Sequence, residues 1–367
     1  MYQLVLAVIF YLVAMSGQVA LAASGSQLEK QALGKLIFED KTLSEPVGQA
    51  CSSCHQADNF YADPEKAISP GANPVLFGNR NAPSIAYAKF TPELYWNEEE
   101  AMWMGGFFHD GRAKTMNEQA AGPFLNPLEM GNVTQQQVVE KLKKSTYRTF
   151  FESLYGIKIW DNSDNAFRAA IESIVAYENG PEFGLFNSKY DYYLQGKVEL
   201  TKQEKLGLQL FEAEEKGNCA ACHASVSEDN KPLFTDYSYD NLGQPANKKS
   251  AFYLIDKRYN PAGKMYVDNG LENNPHINNR QDEKGKFKVP TLRNIDKTPP
   301  YLHNGVFDSL KEVVEFYNQR DIDNRWDEPE VSDNVNSEEL GDLKLTETEV
   351  DAIVVFMKTL TDSYKFN

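Results

Sequence analysis

A mainly α fold in two domains is what this sequence predicts, and three observations carry the prediction. Apolar residues recur at helical spacing behind Ser/Thr-x-x-Glu/Gln capping signals at several points along the chain. Between these segments lie long stretches rich in Pro, Gly, Asn and Asp, which read as loop. Each half also holds one Cys-x-x-Cys-His: Cys51-Ser52-Ser53-Cys54-His55 and Cys219-Ala220-Ala221-Cys222-His223, which together use all four cysteines. This is the attachment pattern of a c-type haem. The cysteines bond to the porphyrin vinyl groups and the adjacent histidine ligates the iron. Zinc sites and thioredoxin-like redox pairs also use Cys-x-x-Cys, but a histidine follows both pairs here.

Length and charge bound the partners. A chain of 367 residues suits two domains with one motif each. The net charge of -16 argues against nucleic acid, because phosphate binding needs a basic face. An acidic surface suits a basic protein partner or serves solubility alone; charge does not separate the two. Residues 1–22 carry no charged side chain, Leu4 to Ala14 is nearly continuously apolar, and Ala20-Leu21-Ala22 supplies a small-residue cleavage pattern. A secretory signal over 1–22 is therefore expected, with an uncleaved anchor as the alternative, since the usual basic start is missing. No second apolar run is long enough to span a bilayer, so no span is expected in the mature protein. Haem attachment to this motif is extracytoplasmic in bacteria, which points to the periplasm.

In chain order, Leu28, Ala32, Leu33 and Leu36 predict a helix leading into the first motif, and Gln56 to Arg80 reads as loop. Thr134 with Gln137 predicts a helix start, and Phe167 to Tyr177 predicts a helix packed on it. Asn179-Gly180-Pro181 is the expected boundary between domains 23–180 and 181–367. Thr201 with Glu204 opens a helix toward the second motif. Ser225 to Lys288 reads as a long loop-rich excursion. Thr346 with Glu349 caps a last helix whose Val350, Ile353, Val354 and Met357 share a face.

These motifs, with Asp110-Gly111-Arg112, the Gln119 to Glu129 segment, Val289-Pro290-Thr291-Leu292-Arg293-Asn294 and Pro300-Tyr301-Leu302-His303-Asn304-Gly305, resemble the dihaem bacterial cytochrome c peroxidase and MauG family. The likeness covers nearly the whole chain after the leader. It implies two cytochrome c-like haem domains with long connecting loops. His55 becomes the proximal ligand of a peroxide-reactive haem, and His223 that of an electron-transfer haem. Cleaving the peroxide bond needs a group to move a proton between its oxygens. Glu129 matches the family's acid/base, Gln119 its hydrogen-bonding neighbour and Pro123 a lining residue. Tyr317 stands where peroxidases place a methionine on the second haem and MauG places a tyrosine. A phenolate is a hard anionic donor that favours the more oxidised iron. A buried aromatic at 317, with Met265 or His276 as ligand, stays open. Asn81 matches a calcium ligand between the haems, with carbonyls near Val289 and Thr291, or it is a turn residue before Pro83. His303 either bonds a propionate or fills the haem wall.

Three departures bear on mechanism. His109 replaces a tryptophan between the haems, and an imidazole is a poor hole carrier when neutral. Gly217 stands where MauG has the tryptophan that passes holes to its protein substrate. Gln56 to Arg80 lacks the histidine that blocks the reactive haem in resting peroxidases, so a site open in the ferric state is expected. The resemblance implies a periplasmic enzyme with two covalent haems c. It reduces hydrogen peroxide with electrons from a small cytochrome c or cupredoxin, or by oxidising side chains of a protein substrate. The alternative is a dihaem electron carrier with no substrate.

Overall fold

The computed structural model describes residues 26–63, 65–277 and 281–366, so the leader expected at 1–22 lies outside the described residues. Helix α1 covers 26–38. It buries Leu33, Ile37 and Phe38, whereas Leu28 and Leu36 are exposed, so the buried stripe lies one position round from the one the spacing suggested. Helices α2 (Met116–Leu125), α3 (Gln135–Leu142), α4 (Arg148–Tyr155) and α5 (Ser163–Glu178) close over that stripe. Phe124, Val138, Leu142, Phe151, Phe167 and Ile174 complete a first core. The Thr134 hydroxyl accepts from Gln137 N, but the Gln137 side chain accepts from Val133 N, one residue earlier than a capping box requires.

Four helices build a second core: α6 (Lys189–Leu194), α7 (Lys202–Glu212), α8 (Leu310–Gln319) and α9 (Glu347–Lys358). Full capping boxes start α7 at Thr201/Glu204 and α9 at Thr346/Glu349. The two helices pack along each other, with Phe211, Val314, Phe316, Ile353 and Phe356 buried among them. The described residues of 225–277 and 281–288 hold short 3-10 turns and no α-helix. Two short antiparallel ribbons were not foreseen. β1 (Tyr95–Asn97) pairs with β2 (Met102–Met104), and β3 (Tyr239–Asp240) pairs with β4 (Phe287–Lys288). None of the described helices is long and apolar enough to cross a membrane.

Buried polar clamps join the halves. Arg80 reaches Asp110 at 2.6 Å and forks onto Asp268 at 2.7 Å through Nε and Nη2. Burial pushes both carboxyls up, but Arg80 outweighs it and holds them below their usual range. A buried pair is tolerated when bidentate geometry offsets desolvation. Tyr87 of the first half donates to Asp362 near the C-terminus at 2.9 Å, and Asp362 N donates to the Asn294 side chain.

Candidate active site: two cavities with a shared wall

The two attachment motifs fold alike. Each starts in a short 3-10 turn, Cys51–Ser53 and Cys219–Ala221, and the histidine backbone N–H donates to the first cysteine's carbonyl at 2.9 Å in both. His55 Nδ1 bonds the Tyr61 carbonyl at 3.1 Å, and His223 Nδ1 bonds the Phe234 carbonyl at 2.8 Å. Such bonds fix the ring and the tautomer, leaving Nε2 for a metal. Burial lowers both imidazole pKa values, which keeps the rings in the neutral, ligating form.

No disulfide joins any two of the four cysteines. Burial pushes the Cys54 thiol up to about 11 and those of Cys219 and Cys222 to about 12, with Cys51 higher still. A reactive redox pair needs lowered values. Among the described residues no three His, Cys, Asp or Glu side chains are grouped to hold a metal ion. Each motif instead opens into its own cavity, of about 270 Å3 in the first half and about 250 Å3 in the second. Paired thiols, an oriented imidazole and a roomy wall in each fit a covalent haem.

The first cavity brings Cys51, Cys54 and His55 together with Gln119, Pro123 and Glu129. Pro123 lies in the last turn of α2, and the chain folds back after Leu125. Met130 N donates to the Pro123 carbonyl at 3.1 Å, and the Asn132 side chain donates to the Phe124 carbonyl at 3.0 Å. Asn126 organises the turn: its side chain accepts from Leu128 N and its carbonyl from Glu129 N, both at 3.0 Å. Glu129 is thereby fixed by backbone bonds on the cavity wall. Burial raises its pKa, against the opposing pull of Arg112 and Asn126. Arg112 lies over the Phe108 ring at 3.6 Å and bonds Asp110 at 2.9 Å. Gly111, at φ +63°, leaves room for a tyrosine: a Cβ there would meet Tyr239 Oη at 2.1 Å. Histidines line this cavity at 55 and 109, and none comes from 56–80.

The second cavity takes Cys219, Cys222, His223 and Tyr317. Burial pushes the Tyr317 phenol up, with the sulfur atoms of Cys219 and Cys222 adding to the effect. Met265 is 82% exposed on the surface, and neither it nor His276 lines the cavity. A methionine that sequence reasoning passed over does line it: Met357, on α9.

Asn81, Pro83, Ser84, His109, Lys288 and Val289 line both cavities and form the wall between them. His109 Nε2 bonds the Asn81 carbonyl at 3.0 Å, and burial with the Arg80 charge lowers its pKa to about 4, so the ring is neutral. Asn81 also donates its side-chain amide to the Ala67 carbonyl at 3.1 Å and its backbone N–H to the His303 carbonyl. The Val289 carbonyl already accepts from Thr235 Oγ1. His303 lines the second cavity, stacked on Phe287 at 3.6 Å between ring centroids. At Gly217 an added Cβ would lie 2.4 Å from the Leu210 carbonyl oxygen, so backbone packing excludes any side chain there.

Three wall residues were not anticipated from sequence. Lys288 is half-buried, its pKa lowered to about 8 by desolvation, and its ammonium bonds the Gly106 carbonyl. Glu178 ends α5 in the first cavity, where burial pushes its pKa up to about 8. Arg112 stood in a quoted motif without a role. An Asp/Glu/Lys in an apolar helix or alternating strand is the only local signal, and it is weak.

The chain is similar throughout to known dihaem proteins. The family model for Di-haem cytochrome c peroxidase matches residues 28–199. The methylamine utilization protein MauG of Paracoccus denitrificans is 35% identical over 351 residues, 90% of this chain and 88% of that protein. The cytochrome c551 peroxidase of Nitrosomonas europaea is 28% identical over 332 residues, 90% of this chain and 79% of the other. The crystal structure of the diheme peroxidase BthA from Burkholderia thailandensis superposes with a TM-score of 0.79 at 31% identity, covering 91% of this chain and 86% of that one.

Proposed function

Because this chain belongs to the di-haem cytochrome c peroxidase family, we propose that its first cavity is where hydrogen peroxide is reduced to water, with electrons from a protein partner arriving through the second. As a member of that family it is a peroxidase-type oxidoreductase carrying two covalently bound c-type haems. The haem supplies an iron at which the peroxide oxygen–oxygen bond is broken. His55, its ring fixed by the Nδ1 bond to the Tyr61 carbonyl, would hold that iron through Nε2. Glu129, in the same cavity with a raised pKa, would take a proton from one peroxide oxygen and return it to the other. Gln119 and the Arg112 guanidinium orient the two oxygens, and Pro123 shapes the wall. His223 and Tyr317 hold the second haem, and Asn81 with the neighbouring carbonyls is assigned to a calcium ion. Each peroxide consumes two electrons and two protons and yields two waters.

The observation that carries this reading is Glu129, a carboxyl with a raised pKa, held by a backbone-bonded turn in the same cavity as His55. A plain electron carrier has no use for it. A MauG-like oxidation of protein side chains is favoured by Tyr317 in the second cavity and opposed by the closed position at Gly217. We assign the two haem domains to 23–180 and 181–367, and the protein to the periplasm. The test incubates the haem-loaded protein with peroxide and a reduced small cytochrome, a cupredoxin, or candidate periplasmic proteins. Peroxide-dependent donor oxidation, or a covalent mass change in a candidate, is expected. Peroxide left unconsumed with every donor would return the protein to the carrier class.

A further inference from the structure

The segment from Asn247 to Tyr266 runs against the charge of the chain. It holds Lys248, Lys249, Lys257, Arg258 and Lys264 against Asp256 alone, in a protein of net charge -16. It is also firmly built. The Asn260 side chain, buried, donates to the Phe252 and Gly263 carbonyls and accepts from Gly263 N. The Phe252 and Tyr266 rings meet edge to face at 4.9 Å. The lobe so formed leaves Leu254 74% and Met265 82% exposed, and Val75 lies 68% exposed beside Leu76, which packs in the same small core as Phe252. Lys248 and Arg258 pair with Asp327 and Asp256 at exposed positions, where such pairs hold little energy. Lys249, Lys257 and Lys264 are exposed and carry no ion pair among the described residues.

The lobe is rooted between the cavities. Gln244, just before it, lines the second cavity. The Tyr266 hydroxyl at its far end accepts from Asn79, a wall residue of the first, at 2.8 Å. We propose that this lobe docks an acidic electron-donor protein, with Leu254 and Met265 as the apolar centre and the three lysines as the rim; the electron-donor part rests on the peroxidase reading above. A preformed apolar centre with complementary charge around it is how transient partners are steered and oriented. A lipid surface is the poorer match, because amphipathic membrane segments are long helices and the lobe's turns span three or four residues. Each docking passes one electron, so two donors, oxidised by one electron each, with two protons reduce one peroxide to two waters.

The test measures binding without turnover. Ferric cytochrome c and its succinylated form, whose lysines become carboxylates, are titrated calorimetrically into the ferric holoprotein at about 10 mM ionic strength, where the screening length is about 30 Å. The succinylated form is expected to bind more tightly. The triple variant Lys249→Glu, Lys257→Glu, Lys264→Glu is expected to weaken it by about tenfold or more, an effect that fades at high salt. Met265→Ser should weaken it by a smaller factor. Equal affinity in wild type and triple variant overturns the proposal. So does binding to phosphatidylserine vesicles in place of the acidic protein, or wild-type self-association in sedimentation that the triple variant loses. Because no peroxide is present, these outcomes stand apart from success or failure of the peroxidase assay.

Discussion

The two cavities begin from the same five-residue motif and the same histidine–carbonyl bond, and they part company on the opposite walls. The first is lined by Glu129 and Glu178, carboxyls with raised pKa values that can carry a proton, and by the hydrogen-bond donors Arg112 and Gln119. The second has acids too, Asp240 and Glu339, but both accept from the Asn336 side chain at 2.7 Å. Tyr317 and Met357 line it too, beside aliphatic residues such as Leu310, Val313 and Ile353. One attachment motif therefore opens into two differently lined cavities. On the proposed function, proton traffic is assigned to the first cavity and tuning of a redox couple to the second.

Substitutions can break this contrast. Glu129→Gln keeps the shape and removes the proton carrier. Peroxide turnover is expected to fall by about 10²–10⁴, while intact mass still shows both haems; a rate near wild type would leave the first cavity no different from the second. Tyr317→Phe should raise the reduction potential of the second haem and change its absorption spectrum, leaving the first haem's as it was. If Met357→Leu produces that change instead, the methionine is the ligand and the tuning assignment moves to α9. Gly217→Ala forces a methyl onto the Leu210 carbonyl. A loss of about 1–3 kcal/mol in denaturant melts is expected, which would explain the missing tryptophan by packing alone.

The smallest effect concerns pH. Glu178 has a folded pKa of about 8, above its ordinary value. The folded state therefore holds the extra proton: this group's contribution is complete below the usual carboxylate range and is lost as pH rises toward 8. The slope is at most about 1.4 kcal/mol per pH unit. Thermal melts of Glu178→Gln should show a flatter decline between pH 5 and 8 than wild type, on the order of that slope. Identical profiles would mean the carboxyl is solvated.

Features that depend on neighbours in sequence were readable without coordinates. The capping boxes at Thr201 and Thr346 act over three residues, and the haem motifs over five, so each carries its own signal. Tyr317 and Glu129 could be singled out only through flanking residues that resemble a family. What composition and spacing do not reveal is the wall itself. Lys288 reaches it because β4 hydrogen-bonds to His109, and Arg80 finds Asp268 across 188 positions. The α1 stripe differs from expectation because Leu33, Ile37 and Phe38 suit a helix face as well as Leu28, Ala32, Leu33 and Leu36 do; only the packing partner decides.

The clamps that tie Arg80 to Asp268 and Tyr87 to Asp362 have a consequence for how the polypeptide can be divided. Severing the backbone between the halves leaves each fragment with buried charges or hydroxyls whose counterparts reside on the other. Neither piece has a reason to persist alone. Supplied together they possess a matched set of contacts, so reconstitution from co-expressed fragments is the behaviour this architecture favours.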